Sequence, residues 1–258
     1  MTVDLHVERW GTGPSVLLVH GSIANGEMTW AEQRSLTDRW ELVVLDRRGY
    51  APNPPIERED FEVDAGDVVE LLGHGMHLVG HSYGGVISLL AAARRRDLVR
   101  SLTVIEPPAF GLVERDPEHA GFVASLRALF ADPSPDPEVF LRAFVEASGS
   151  TVQLPSPLPP ALEQHARLLM AERFAGDAVF PFRVLRDAPF PKLVVSGAHN
   201  AAFTAVCDVI EREIGAERAV IPGGAHSAQR TGAPFNQRLE EFLRRAEESG
   251  PTATRSKG

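Results

Sequence analysis

His77-Leu-Val-Gly-His-Ser-Tyr-Gly-Gly-Val-Ile-Ser-Leu-Leu90 decides the fold. Its first four residues are a strand-like apolar run, and Tyr83 onward is apolar enough for a buried helix. Between them stands Gly80-His81-Ser82-Tyr83-Gly84, a Gly-x-Ser-x-Gly turn. A chain that passes from strand to helix in so few residues strains the central residue, and flanking side chains would collide there. The turn lifts Ser82 above the strand end, and the helix behind it brings unpaired amides and the positive end of a dipole. Ser82 is therefore the candidate nucleophile.

Outward from this turn, short Val/Leu/Ile runs alternate with helical patterns, as in parallel strands joined by helices. Strands are expected at 16–20, 42–46, 77–80, 102–105, 192–196 and 219–221, each nearly continuous in apolar residues and so covered on both faces. Helices are expected at about 30–38, 63–72, 82–95, 204–214 and 234–247. From 107 to 188 the strand rhythm stops. Three helical stretches, 117–131, 137–147 and 159–174, are separated by Pro-rich joints such as Asp132-Pro-Ser-Pro-Asp-Pro137. The expected organisation is an α/β core (1–106 and 189–247), a helical cap (107–188) and a flexible tail (248–258).

The chain is identified here as resembling the α/β-hydrolase family, whose elbow the Ser82 turn matches. The resemblance runs from about Leu5 to Leu243 and is weakest over the helical insertion. It implies an α/β-hydrolase fold with a mostly parallel central sheet flanked by helices. Val16-Leu-Leu-Val-His-Gly-Ser22 is similar to the family's strand followed by His-Gly, which implies an oxyanion hole made by the backbone amides of Ser22 and Tyr83. Asp46-Arg-Arg-Gly-Tyr50 resembles an Asp-x-Arg-Gly turn of architectural role, and His20 and His81 fall at positions that hold loops together.

Val220-Ile-Pro-Gly-Gly-Ala-His-Ser227 lies where the family places its histidine, making His226 the base that activates Ser82. The usual acid site reads Gly197-Ala-His-Asn200, and an asparagine cannot carry the charge that stabilises an imidazolium. The carboxylate is expected instead at Glu106, where Leu102-Thr-Val-Ile-Glu-Pro-Pro108 ends a strand. This placement is similar to that in zearalenone-type lactonases. Asp187 and Asp208 are the alternatives, one preceding its strand and the other inside a helix. Ile23, His199 and Asn200 are pocket candidates.

The resemblance implies hydrolysis of a carboxylic ester or lactone through an acyl-enzyme, without cofactor. The chain spacing of His199 and His226 suggests no metal. The rivals are cofactor-free cleavage of a C–C bond in a diketone and a non-catalytic ligand-binding role, the latter disfavoured because Ser82 and His226 are both present. Twenty-six Lys and Arg against 35 Asp and Glu leave 258 residues with a net charge of −9, which argues against nucleic acid as a partner. The N-terminal stretch lacks the pattern of a signal peptide and no apolar run is long enough for a membrane span, so a cytoplasmic enzyme with no membrane partner is expected. The single Cys207 sits in an apolar helical pattern and reads as core.

Overall fold

A computed structural model describes residues 4–150 and 152–249. Among these, seven strands form one sheet: β1 (Val7–Trp10), β2 (Ser15–Val19), β3 (Glu41–Leu45), β4 (Met76–His81), β5 (Val99–Ile105), β6 (Lys192–Ser196) and β7 (Glu217–Val220). Their spatial order is β1-β3-β2-β4-β5-β6-β7. All neighbours pair in parallel except β1, which runs antiparallel to β3 at the edge. That edge strand was not among the expected ones. With the pattern Val-Glu-Arg-Trp it is short, with only Trp10 buried, and it carries no continuous apolar run.

Successive strand residues point to opposite faces, and the two cores follow this alternation. Leu17, Val19, Val43, Leu45, Leu78 and Val104 pack on one face. Val16, Leu18, Leu42, Val44, Val79 and Ile105 pack on the other. Helices α1 (Gly26–Trp30), α2 (Phe61–Leu71), α3 (Tyr83–Arg94), α4 (Ala120–Ala131), α5 (Pro137–Ala147), α6 (Pro160–Ala171), α7 (Phe182–Arg186), α8 (Ala201–Ile214) and α9 (Ala233–Ser249) complete the regular structure. α2, α3 and α8 cover the first face, whereas Trp30 of α1 and Phe235, Leu239 and Phe242 of α9 cover the second.

The helix expected at 30–38 is instead α1 followed by a 3-10 turn from Ala31 to Leu36. Asn25 explains the earlier start, since its side chain accepts from the Met28 amide and caps α1. Helix α9 extends through Glu248 and Ser249, which the sequence reading had placed in the tail; the rest of that tail lies outside the described residues. Between β5 and β6, α4, α5 and α6 occupy the region where three helices were expected. Phe140, Leu141, Leu158, Ala166 and Leu169 form a small core of their own there.

β3 and β4 flank β2 on opposite sides, so the chain reverses its direction of travel across the sheet at β2. The crevice at the carboxyl ends of β2 and β4 is therefore a topological switch point, where open α/β sheets bind ligands.

Candidate active site

Five non-glycine residues among those described have left-handed backbone: Ile23, Ser82, Glu106, Ala198 and Ala225. Each lies just beyond the carboxyl end of a different parallel strand, β2, β4, β5, β6 or β7. Such conformations cost on the order of 1–3 kcal/mol each and persist where the surroundings impose them. Their gathering at one sheet edge locates the site independently of any motif.

At Ser82, φ is 54° and ψ is −125°. A Cβ on Gly80 would stand 2.3 Å from the Gly84 carbonyl oxygen, and one on Gly84 would stand 2.3 Å from that of Val19, so both positions exclude a side chain. Ser82 occupies the N-cap of α3, yet its hydroxyl makes no capping bond. The hydroxyl instead lies 2.9 Å from His226 Nε2. The opposite ring nitrogen, Nδ1, is 3.1 Å from Glu106 Oε2. An ionised carboxylate only accepts, so Nδ1 carries the proton and Nε2 is left to accept from the serine.

Glu106 is fully buried. Its amide donates to the Val195 carbonyl, extending the β5–β6 pairing by one residue, and its Oε1 accepts from the Gly197 amide at 2.8 Å. The left-handed turn at Glu106, followed by two prolines, sends the chain away from the sheet while the carboxylate stays beneath His226. Asp187 and Asp208 lie elsewhere: Asp187 faces Arg183 and Asp208 faces Arg218.

Of the pocket candidates, His199 comes into direct contact with Glu106, its Nδ1 3.2 Å from Oε2. Asn200 does not. Its Oδ1 accepts from the amides of Ala202 and Phe203, making it the N-cap of α8, and its Nδ2 donates to the Ser148 carbonyl. His199 and Asn200 line a hollow of about 400 Å³ with Glu118, His119, Thr204 and Asp208. Ile23 is not part of that lining; it packs against the core of the inserted helices, and its carbonyl accepts from His165 Nδ1.

His199 and His226, 27 residues apart in the chain, are brought together by the fold. Glu106, His199 and His226 each present one potential metal-ligating atom, and the three atoms lie within 4.8 Å of one another. The fold closes a gap that linear spacing leaves open.

His20 and His81 have the loop-holding roles expected of them. The Arg47 amide donates to His20 Nε2, so Nδ1 must carry the proton and donate to the Gly21 carbonyl. Burial, with Arg47 adding to it, pushes the His20 imidazole well below its ordinary range, keeping it neutral. His81 Nε2 donates to the His226 carbonyl and so holds the loop that carries His226. Cys207 is buried, and burial raises its thiol to about 12, as befits a core residue.

Sequence reasoning missed a buried ionic group beside the Gly21-Ser22 loop. Arg47 Nη1 lies 2.7 Å from Glu59, and Nη2 lies 3.1 Å from Glu172. Asp64 stands 3.7 Å from the same guanidinium. The Asp-x-Arg-Gly resemblance pointed to Arg47, but nothing local marks carboxylates 12, 17 and 125 residues away as its partners.

The family model described as the alpha/beta hydrolase fold matches residues 14–233. The chain belongs to this family. Similar family members include the 2-(acetamidomethylene)succinate hydrolase of Mesorhizobium japonicum, 34% identical over 110 residues, a match spanning 40% of this chain and 39% of that protein. The pimeloyl-(acyl-carrier protein) methyl ester esterase of Methylococcus capsulatus is 34% identical over 108 residues, 40% of this chain and 41% of that one. The chain thus spans about two fifths of the length of these curated relatives. An alpha/beta hydrolase from Sphaerobacter thermophilus shares the fold across 93% of this chain and 96% of its own, with a TM-score of 0.69 and 24% identity. No helix among the described residues is long and apolar enough to cross a membrane.

Proposed function

We propose that the protein is a serine hydrolase that cleaves a carboxylic ester or lactone through an acyl-enzyme. The observation that carries this reading is the His226 ring, which bridges the Ser82 hydroxyl at 2.9 Å and the buried Glu106 carboxylate at 3.1 Å. Family membership adds to it, as does the likeness to a methyl ester esterase.

In this reading His226 Nε2 takes the Ser82 proton as Oγ attacks the carbonyl carbon, and Glu106 stabilises the imidazolium that results. Negative charge develops on the former carbonyl oxygen, and the backbone amides of Ser22 and Tyr83 receive it. A Cβ on Gly21 would stand only 2.7 Å from Ser82 Cβ, so the Ser22 loop lies against the nucleophile as this role requires. Collapse expels the alcohol, which takes the proton from His226. Water, deprotonated by the same imidazole, then releases the acid and restores Ser82. A lactone would follow the same steps, with both product ends on one molecule.

The test is turnover of p-nitrophenyl esters of graded chain length and of small and macrocyclic lactones by wild type and Ser82→Ala, with fluorophosphonate labelling of each. Ester or lactone turnover and labelling in the wild type, both abolished in Ser82→Ala, is the expected result. Equal turnover by the two proteins, or a wild type that splits only diketones, would exclude ester hydrolysis at this serine.

A further inference from the structure

We infer that Glu172, delivered from the segment just after α6, is a positioning residue for the oxyanion loop, holding the Ser22 hydroxyl and through it the Ser22 amide. The inference rests on the proposed role of that amide and names what sets its position. Ser22 Oγ lies 2.6 and 2.8 Å from the two oxygens of Glu172. A carboxylate that accepts from the hydroxyl fixes where it points. Arg47 holds the same loop from the other side: Nη2 contacts Glu172 at 3.1 Å and donates to the Gly21 carbonyl at 3.3 Å. The Arg47–Glu172 pair thus grips two consecutive loop residues, Gly21 by its backbone and Ser22 by its side chain.

Glu172 is itself anchored. The Glu59 amide donates to the Ala171 carbonyl, and the Arg173 amide donates to the Glu59 carbonyl, which stitches the segment after α6 to the core. Replacing a buried ionic cluster by apolar residues is often neutral or stabilising. Stability is therefore a poor explanation for three carboxylates gathered at one buried guanidinium. Burial pushes the Glu59 and Glu172 carboxyls upward, and attraction to Arg47 opposes that rise at both. What the cluster does achieve is to make the geometry at Ser82 depend on the seating of the inserted helices. A shift of about 1 Å in a positioned group can cost about a hundredfold in rate.

The experiment is a double-mutant cycle of Ser22→Ala and Glu172→Ala, with Ser22→Thr and Ser82→Ala beside it, scored by kcat, KM and melting temperature on a p-nitrophenyl ester. The expected result is a loss of about 10- to 100-fold in kcat for each single variant, with KM within about twofold. The double variant is expected to be no slower than Glu172→Ala, because both changes break one interaction. Ser22→Thr, which keeps the hydroxyl, is expected to stay within about threefold of wild type, and this arm stands even if Glu172→Ala does not fold. Wild-type kcat in Ser22→Ala, additive losses, or Ser22→Thr as slow as Ser22→Ala would overturn the positioning role while leaving the hydrolase reading intact. Turnover that survives in Ser82→Ala would instead remove the hydrolase reading, and this inference with it.

Discussion

Glu106 and His226 are 120 residues apart in the chain, and their side chains meet at 3.1 Å. The contact is made across two strand ends, that of β5 before the inserted helices and that of β7 after them. It places the candidate acid one strand away from where Gly197-Ala-His-Asn200 would have carried it. Glu106→Gln is expected to fold normally and to lose about 10²- to 10⁴-fold in kcat, because a neutral amide cannot stabilise the imidazolium. Steady-state kinetics checks this, and a kcat within tenfold of wild type would rule Glu106 out as the acid.

Gly197 packs against the loop that carries His226. A Cβ there would stand 1.9 Å from the Ala225 oxygen and 2.5 Å from its nitrogen, while the Gly197 amide also supports Glu106. Gly197→Ala must therefore displace the neighbour of His226, the acid, or both. The expected outcome is a kcat reduced by about a hundredfold and a stability lowered by about 1–3 kcal/mol. Kinetics and thermal melting together test it; an unchanged kcat would mean that the loop yields without moving the imidazole.

Asn200 occupies the family's acid position but serves as a helix cap. Asn200→Ala should cost about 1 kcal/mol, or about 2–4 °C in melting temperature for a chain of this size. Turnover should remain within about threefold of wild type, since the side chain makes no contact with Ser82, His226 or Glu106. A large kinetic loss at unchanged melting temperature would give Asn200 a part in the chemistry.

Burial raises the Asp64 carboxyl to about 7 in the folded protein, far above its ordinary 3.8, although Arg47 draws it down. The folded state therefore holds a proton that the unfolded chain has released. This contribution to stability is fully present below about pH 4 and is lost as pH rises through about 7. Melting temperature should fall between about pH 4 and 7, and Asp64→Asn should flatten part of that slope. Glu59 acts with the same sign and keeps the remainder. A slope identical in Asp64→Asn would show that Asp64 does not titrate in this window.

The sequence by itself determined the sheet and the candidate nucleophile and base. Five of the six expected strands match observed ones to within two residues at each end. The inner ones among them stand out because strands covered on both faces must be continuously apolar, whereas β7, Glu-Arg-Ala-Val at the edge, was found from the short Ala219-Val-Ile221 run that overlaps its end. Ser82 was legible because a strand-to-helix turn that tight demands glycines at fixed offsets. His226 and Glu106 were legible only through the family resemblance joined to the end of a strand. β1 was missed because its Val-Glu-Arg-Trp stretch has no apolar run, and the α1 start was missed because its signal was a single cap residue, Asn25. Tertiary structure alone decided that His199 meets Glu106 while Asn200 turns away to cap α8. It alone brought Glu172, from the far end of the inserted helices, onto Ser22. Both outcomes depend on how separate strand ends and loops converge in space, and polar contacts between distant residues leave no periodicity in the chain for a reader to find.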